Sequence, residues 1–176
     1  YEVDLRLRPS GSKGPIATPL RSYMRYLNED AWTWEHMALT RARTILGAPS
    51  IRKSVTNGIL KVLTLERDPQ LIAKDILKMR EKITQNHQKN ELWNVKYVRG
   101  GLLDIEFIAQ YIQLIHASKF PEILSTNTVK VLKKASGLGL IRSKNGKILL
   151  EALNIWQNLQ SLIPLVDIQN LSNYFS

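Results

Sequence analysis

The stretch from Leu102 to Ala117 constrains the fold of this chain more than any other. Leu102, Ile105, Ile108, Ile112 and Ile115 recur at helical spacing, an apolar stripe that has to be buried against other elements. Most of the remaining chain reads as helices able to do this. Thr18 or Ser22 is placed to cap a helix reaching about Asn28, and a second runs from Trp32 to Leu46, ending at Gly47. Ala48 to Leu65 is expected to be helical, with Gly58 as its weak point. Asp68-Pro69 pairs an N-cap with proline at the first helical position. Behind it Ile72, Ile76, Met79 and Ile83 mark one face of a helix lasting to about His87. Leu92 to Arg99 reads as extended, and Gly100-Gly101 breaks it. Shorter helices are expected over 125–136 and 145–163, the second aligning Leu149, Leu153, Trp156 and Ile163 before Pro164 stops it.

The N-terminus follows another period. Val3, Leu5 and Leu7 alternate with Asp4, Arg6 and Arg8, so a strand carries the acid and the two guanidiniums on one face. The loop Pro9-Ser10-Gly11-Ser12-Lys13-Gly14-Pro15 ends it. The expected fold class is therefore mainly α, a helical bundle with one N-terminal β-strand. Residues 1–17 form the strand and its loop, and residues 18–176 a helical domain. The chain opens directly in the strand, as a cut inside a longer protein would.

Composition narrows the function. An apolar fraction of 44% over 176 residues allows a sizeable core. No cysteine is present, which excludes disulfides and thiolate metal sites and suits a reducing, cytoplasmic setting. No run approaches the roughly 18 apolar residues of a membrane span, so no membrane partner is expected. The net charge of +10 attracts polyanions in general. It concentrates between Lys119 and Lys147, where Lys119, Lys130, Lys133, Lys134, Arg142, Lys144 and Lys147 face Glu122 alone. The plainer reading of that run is a solvated face of a fragment whose other part is acidic.

On the strand, Asp4, Arg6 and Arg8 stand about 6.5 Å apart. A carboxylate followed by two guanidiniums suits a divalent metal with a polyphosphate, because arginine meets phosphate oxygens bidentately. Asp4 by itself cannot hold Mg2+ usefully, and only Glu2 shares its face. An edge strand with charges paired across it explains the pattern equally well.

The segment Tyr1-Glu2-Val3-Asp4-Leu5-Arg6-Leu7-Arg8-Pro9-Ser10-Gly11 resembles the third-carboxylate strand of the glutamine synthetase adenylyltransferases, members of the nucleotidyltransferase superfamily. The resemblance continues through Ala31-Trp32-Thr33-Trp34-Glu35-His36-Met37-Ala38-Leu39-Thr40-Arg41-Ala42-Arg43 and through Gly100 to Tyr111. In that family one half of the chain transfers AMP from ATP to a tyrosine of glutamine synthetase, and a homologous half removes it by phosphorolysis. Trp32-Thr33-Trp34-Glu35 and Gly101-Leu102-Leu103-Asp104-Ile105-Glu106 are similar to the C-terminal, transferring half. The strand would then be the last of a nucleotidyltransferase palm. The resemblance implies Mg2+, ATP as substrate, glutamine synthetase and a PII-type signalling protein as partners, and a role in nitrogen assimilation. Asp4 would complete the metal cluster or activate the attacking tyrosine, with Arg6 and Arg8 on the triphosphate. The family's upstream Gly-Ser turn and Asp-x-Asp are not in this chain, so it is expected to be inactive by itself.

Two further clusters follow. Trp34, Arg41 and Arg43 are candidates to meet adenine and phosphates, with Trp32 and Glu35 beside them. The alternative is a helix wedged against the palm, with tryptophan as core and Glu35 paired to an arginine. Lys96, Arg99, Asp104 and Glu106 surround the Gly100-Gly101 pair. On a helix Asp104 and Glu106 point about 200° apart and cannot share a metal. Structural roles are expected for both, Asp104 as a cap or dipole partner and Glu106 in a separate salt bridge. As site candidates Asp104 is the better of the two, and Lys96 is a candidate to approach a nucleotide. His36, His87 and His116 have no ligand spacing. A helical module that binds glutamine synthetase or a PII-type protein is the alternative function. A nucleic-acid role rests on charge alone and is not expected.

Overall fold

The computed structural model describes residues 8–86 and 96–163. Over these residues the chain forms seven α-helices: α1 (Leu20–Glu29), α2 (Thr33–Leu39), α3 (Pro49–Leu63), α4 (Pro69–Asn86), α5 (Leu102–His116), α6 (Thr128–Gly137) and α7 (Ser143–Leu162). Short 3-10 turns sit at Gly11–Lys13 and Pro121–Ile123. The architecture is mainly α. No strand occurs among the described residues, and the expected strand falls on residues 1–7, which lie outside them.

α5 organises the packing because it is buried on two sides. Leu102, Ile105, Ala109 and Ile112 meet Val131, Leu132 and Ala135 of α6 and Leu153 of α7 in one core. Leu114 joins a second core with Leu27, Met37, Leu39, Val62, Leu63, Ile72 and Ile76 from α1 to α4. Residues two apart on a helix point about 200° apart, so Ile112 and Leu114 serve opposite sides. The expected single stripe is therefore two. Ile108, counted on it from the sequence, is 39% exposed and lines an open cleft between α4 and α5.

Several boundaries differ from expectation for local reasons. α2 ends at Leu39 rather than Leu46, since Thr40 turns its hydroxyl onto the Met37 carbonyl and the next amides bond three residues back. Residues 40–48 then cross as turn and coil to Pro49. α1 starts at Leu20 behind Pro19, so neither Thr18 nor Ser22 caps it. α3 runs on through Gly58, where an added Cβ would lie only 2.5 Å from Met24 Sδ of α1. Asp68 caps α4 as expected, accepting from Gln70 N at 2.8 Å, while α6 starts at Thr128 rather than 125 because Asn127 caps it, accepting from Lys130 N at 3.0 Å.

The segment expected to be extended over 92–99 is described only from Lys96, and from there it is a run of turns. Its carbonyls explain this. Lys96 O accepts from Leu103 N at 3.1 Å, and Arg80 of α4 donates to Tyr97 O at 2.9 Å and Val98 O at 3.3 Å. The same guanidinium donates to Thr84 Oγ1 at 2.7 Å and is ion-paired to Asp104 at the start of α5. Asp104 in turn accepts from Gly100 N at 2.6 Å, and Gly100 O accepts from Trp156 Nε1 of α7 at 2.9 Å. Gly100 sits at φ +75°, a left-handed conformation that glycine adopts without strain. Four elements are tied at this one knot.

Two stability predictions follow from this packing. Asp104→Asn leaves the largely buried Arg80 without its charge partner and is expected to cost about 1.5–3 kcal/mol. Glu106→Gln, which breaks only the exposed pair with Arg41, is expected to cost less than about 1 kcal/mol. Denaturant melts of the two variants check the order. At the α6–α7 crossing, a Cβ on Gly146 would collide with Ser136 Oγ, a buried hydroxyl with no hydrogen-bond partner among the described residues. Gly146→Ala is therefore expected to forfeit the roughly 1 kcal/mol that alanine normally adds to a helix and to fall below wild type. Adding Ser136→Ala removes the clashing oxygen and should restore the gain; equal, additive losses would refute the contact.

Candidate functional site

The described end of the N-terminal segment leads into a tight loop. Arg8 Nε donates to Gly14 O at 3.2 Å, closing 8–14 into a ring. A Cβ on Gly14 would run into Pro9 O, so only glycine lets this loop close. Arg8 thus braces the loop with one nitrogen, whatever its terminal nitrogens do. Asp4 and Arg6 lie outside the described residues.

The loop lies against α1 and α2. Arg8, Pro9, Tyr23, Tyr26, Glu35 and Ala38 line one small cavity there. Glu35 is buried in its wall, accepting from Tyr26 OH at 2.6 Å and from Trp32 N at 2.9 Å. The second bond is the N3-to-N-cap half of a capping box, which explains why a carboxylate stands in the first turn of α2. Desolvation, then the bond to Glu35, pushes the Tyr26 hydroxyl up to about 12. Burial and the same carboxylate raise Tyr23. Both phenols stay protonated, and Tyr26 acts as a donor that holds Glu35 in place. The sequence alternative that paired Glu35 with an arginine is thereby corrected: its partner is a tyrosine nine residues back.

The tryptophans are not core either. Trp32 is 70% and Trp34 43% exposed, and both line a groove with Met37, Met79, Lys78 and Lys82. Thr33 Oγ1 donates to Asp75 Oδ2 at 2.6 Å, fixing α2 on α4 so that the indoles face outward. Trp34 and Arg41 do not share a helix face as the longer helix implied, because α2 ends before Arg41. Arg41 instead reaches across to Glu106 at 2.9 Å, and Arg43 is exposed in the coil beyond.

The third cluster separates as its spacing predicts. Asp104 turns to Arg80 and Gly100 N, and Glu106 to Arg41. Asp104 holds the helix start and, with Arg80 and Arg99, also lines the open cleft between α4 and α5. Lys96 Nζ sits 5.2 Å from the ring centroid of Tyr97. His36 Nε2 donates to Leu27 O at 2.8 Å, and burial lowers its pKa, so it stays neutral inside the α1–α2 corner. Among the described residues no group of three or more histidine, aspartate or glutamate side chains is gathered as a metal site.

Sequence reasoning missed three residues that organise this region: Arg80, Trp156 and Tyr26. Each acts through a partner 9 to 56 residues away, at Glu35, Asp104 or Gly100. No local pattern marks such a pairing.

Comparison with known proteins places this arrangement. Residues 1–58 match the family model described as glutamate-ammonia ligase adenylyltransferase, and residues 76–169 the model described as GlnD PII-uridylyltransferase. Over 165 residues, 94% of this chain, it is 45% identical to a bifunctional glutamine synthetase adenylyltransferase/adenylyl-removing enzyme of Rhodopseudomonas palustris. Proteins of the same description from Xanthobacter autotrophicus and Bradyrhizobium diazoefficiens are 47% and 44% identical over the same length. The chain spans about 17% of the length of each of these relatives. It belongs to the glutamine synthetase adenylyltransferase family.

Proposed function

We propose that this chain is part of a nucleotidyltransferase that moves AMP from ATP onto a tyrosine of glutamine synthetase and so regulates nitrogen assimilation. The observation that carries the reading is identity of about 45% along nearly the whole chain to relatives with that name. The transferring half, rather than the removing one, is favoured by the wording of Trp32-Thr33-Trp34-Glu35 and by aspartate at position 104. The protein would work in the cytoplasm; no helix among the described residues is long and apolar enough to cross a membrane.

Mg2+ would supply charge neutralisation at the transferred phosphate when bound. Asp4 fits it as one ligand of several, the others being the family's upstream Asp-x-Asp. Asp4 is thus proposed as the catalytic and metal-holding residue, with Arg6 on the triphosphate. Arg8, already committed to Gly14 through Nε, is proposed to combine loop bracing with phosphate contact. The exposed Trp34, with Lys78 and Lys82 across the groove, offers a face for adenine or for the protein substrate. Arg43 and Lys96 keep exposed side chains for phosphate, whereas Arg41 would have to leave Glu106.

A PII-type signalling protein is proposed as a regulatory partner of the helical part. What supports it is the match of residues 76–169 to a family whose description names PII.

In the intact enzyme, Asp4→Asn is expected to lower AMP transfer by roughly 100-fold or more with an unchanged melting temperature. Turnover close to wild type would overturn the assignment of Asp4. Arg6→Ala should raise the KM for ATP more than it lowers thermal stability. A protein that melts early yet keeps its ATP affinity would make Arg6 structural instead.

A further inference from the structure

The basic run between Lys119 and Lys147 takes no part in the reading above, yet three of its lysines gather in one cleft. Lys133 near the end of α6 and Lys144 and Lys147 in the first turns of α7 line a single open cleft with Ser136 and Ser143. Lys130 is exposed one turn before Lys133, and Arg142 is exposed at the N-cap position of α7. Lys134 is different: its ammonium donates to Glu122 O and Leu124 O and anchors the 3-10 turn. The others enter no ion pair among the described residues.

Neither α6 nor α7 has an acidic residue in its first turn. At the start of α7 the positive end of the helix dipole therefore adds to Lys144 and Lys147 uncompensated, whereas the cleft meets α6 toward its C-terminal end. The lone carboxylate within reach along α7, Glu151, stands one turn beyond Lys147. A solvated lysine face normally carries interspersed acids; this one has almost none, and it gathers at a concave crossing.

The chemistry favours one class of occupant. α6 has no aromatic residue, and the first on α7 is Trp156, whose indole is engaged by Gly100. Without a stacking platform the face is poor for single-stranded nucleic acid. Its cations in the cleft are lysines, which lack the planar fork that arginine offers to phosphates and base edges. Flexible point charges in a shallow cleft suit scattered carboxylates. We propose that this α6–α7 face docks a carboxylate-rich surface of the protein substrate and steers its approach. The inference rests on the adenylyl-transfer reading and names the surface by which that enzyme recruits its target.

The test uses the intact enzyme with Lys133→Glu, Lys144→Glu and Lys147→Glu combined, beside the corresponding three Lys→Gln changes. The charge-reversed variant is expected to raise the KM for the protein substrate by about tenfold or more. Its kcat and KM for ATP should match wild type, and the fall of kcat/KM with added salt should disappear. The neutral variant should move the same way by less, and it decides the matter if the reversed one does not fold. An unchanged KM for the protein, or an equal rise in the KM for ATP, overturns the proposal. So does lysine-dependent binding of a duplex oligonucleotide with protein affinity intact. Should the wild type transfer no AMP, the functional reading fails separately, and direct binding of wild-type and reversed enzymes to the same protein decides this inference.

Discussion

The two-sided burial of α5 is the constraint on which the remaining structure depends. A helix that places Ile105, Ala109 and Ile112 in one core and Leu114 in another cannot be satisfied by a single neighbour. It draws α6 and α7 to one side and α1 to α4 to the other. Leu114 has no solvent exposure, and burying one such side chain contributes about 1.5–3 kcal/mol. Tyr111 and Leu124 touch both cores, so the two are continuous around the helix.

Polar contacts then set the register of what hydrophobic packing brings together. Apolar contact is non-directional and would tolerate small slides of α4 along α5. The Arg80 guanidinium removes that freedom by binding Asp104 and two carbonyls of the 96–99 turn at once. Through Gly100 the same knot reaches Trp156 on α7. On the other flank Glu35 plays a similar part, with Tyr26 from α1 and the Trp32 amide converging on its two oxygens. The acids that a motif search would first take as chemical are thus largely occupied in holding helices. Three surfaces among the described residues stay open to a ligand: the groove of Trp32, Trp34, Lys78 and Lys82, the cleft between α4 and α5 beside Arg80 and Asp104, and the lysines of α6 and α7.

This division suits a fragment of a larger enzyme. The part proposed to handle nucleotide, around Asp4 and Arg6, adjoins the loop at 8–14 that packs near Glu35. The described helices provide a rigid support and exposed faces.

Much of the helical order was legible along the chain. α4, α5, α6 and α7 were expected within two or three residues of their ends, because the Asp68 cap, breakers such as Gly100-Gly101 and apolar periodicity all act within a few residues. The divergence of Asp104 and Glu106 was likewise readable from helical geometry. The early end of α2 was not, since a threonine hydroxyl folding back on Met37 O competes with a pattern that otherwise continues as helix. Nor was the exposure of Trp34, the tyrosine partner of Glu35 or the central place of Arg80. Those outcomes depend on which side chain another helix presents at a given point, a distance in space that periodicity along one chain does not encode.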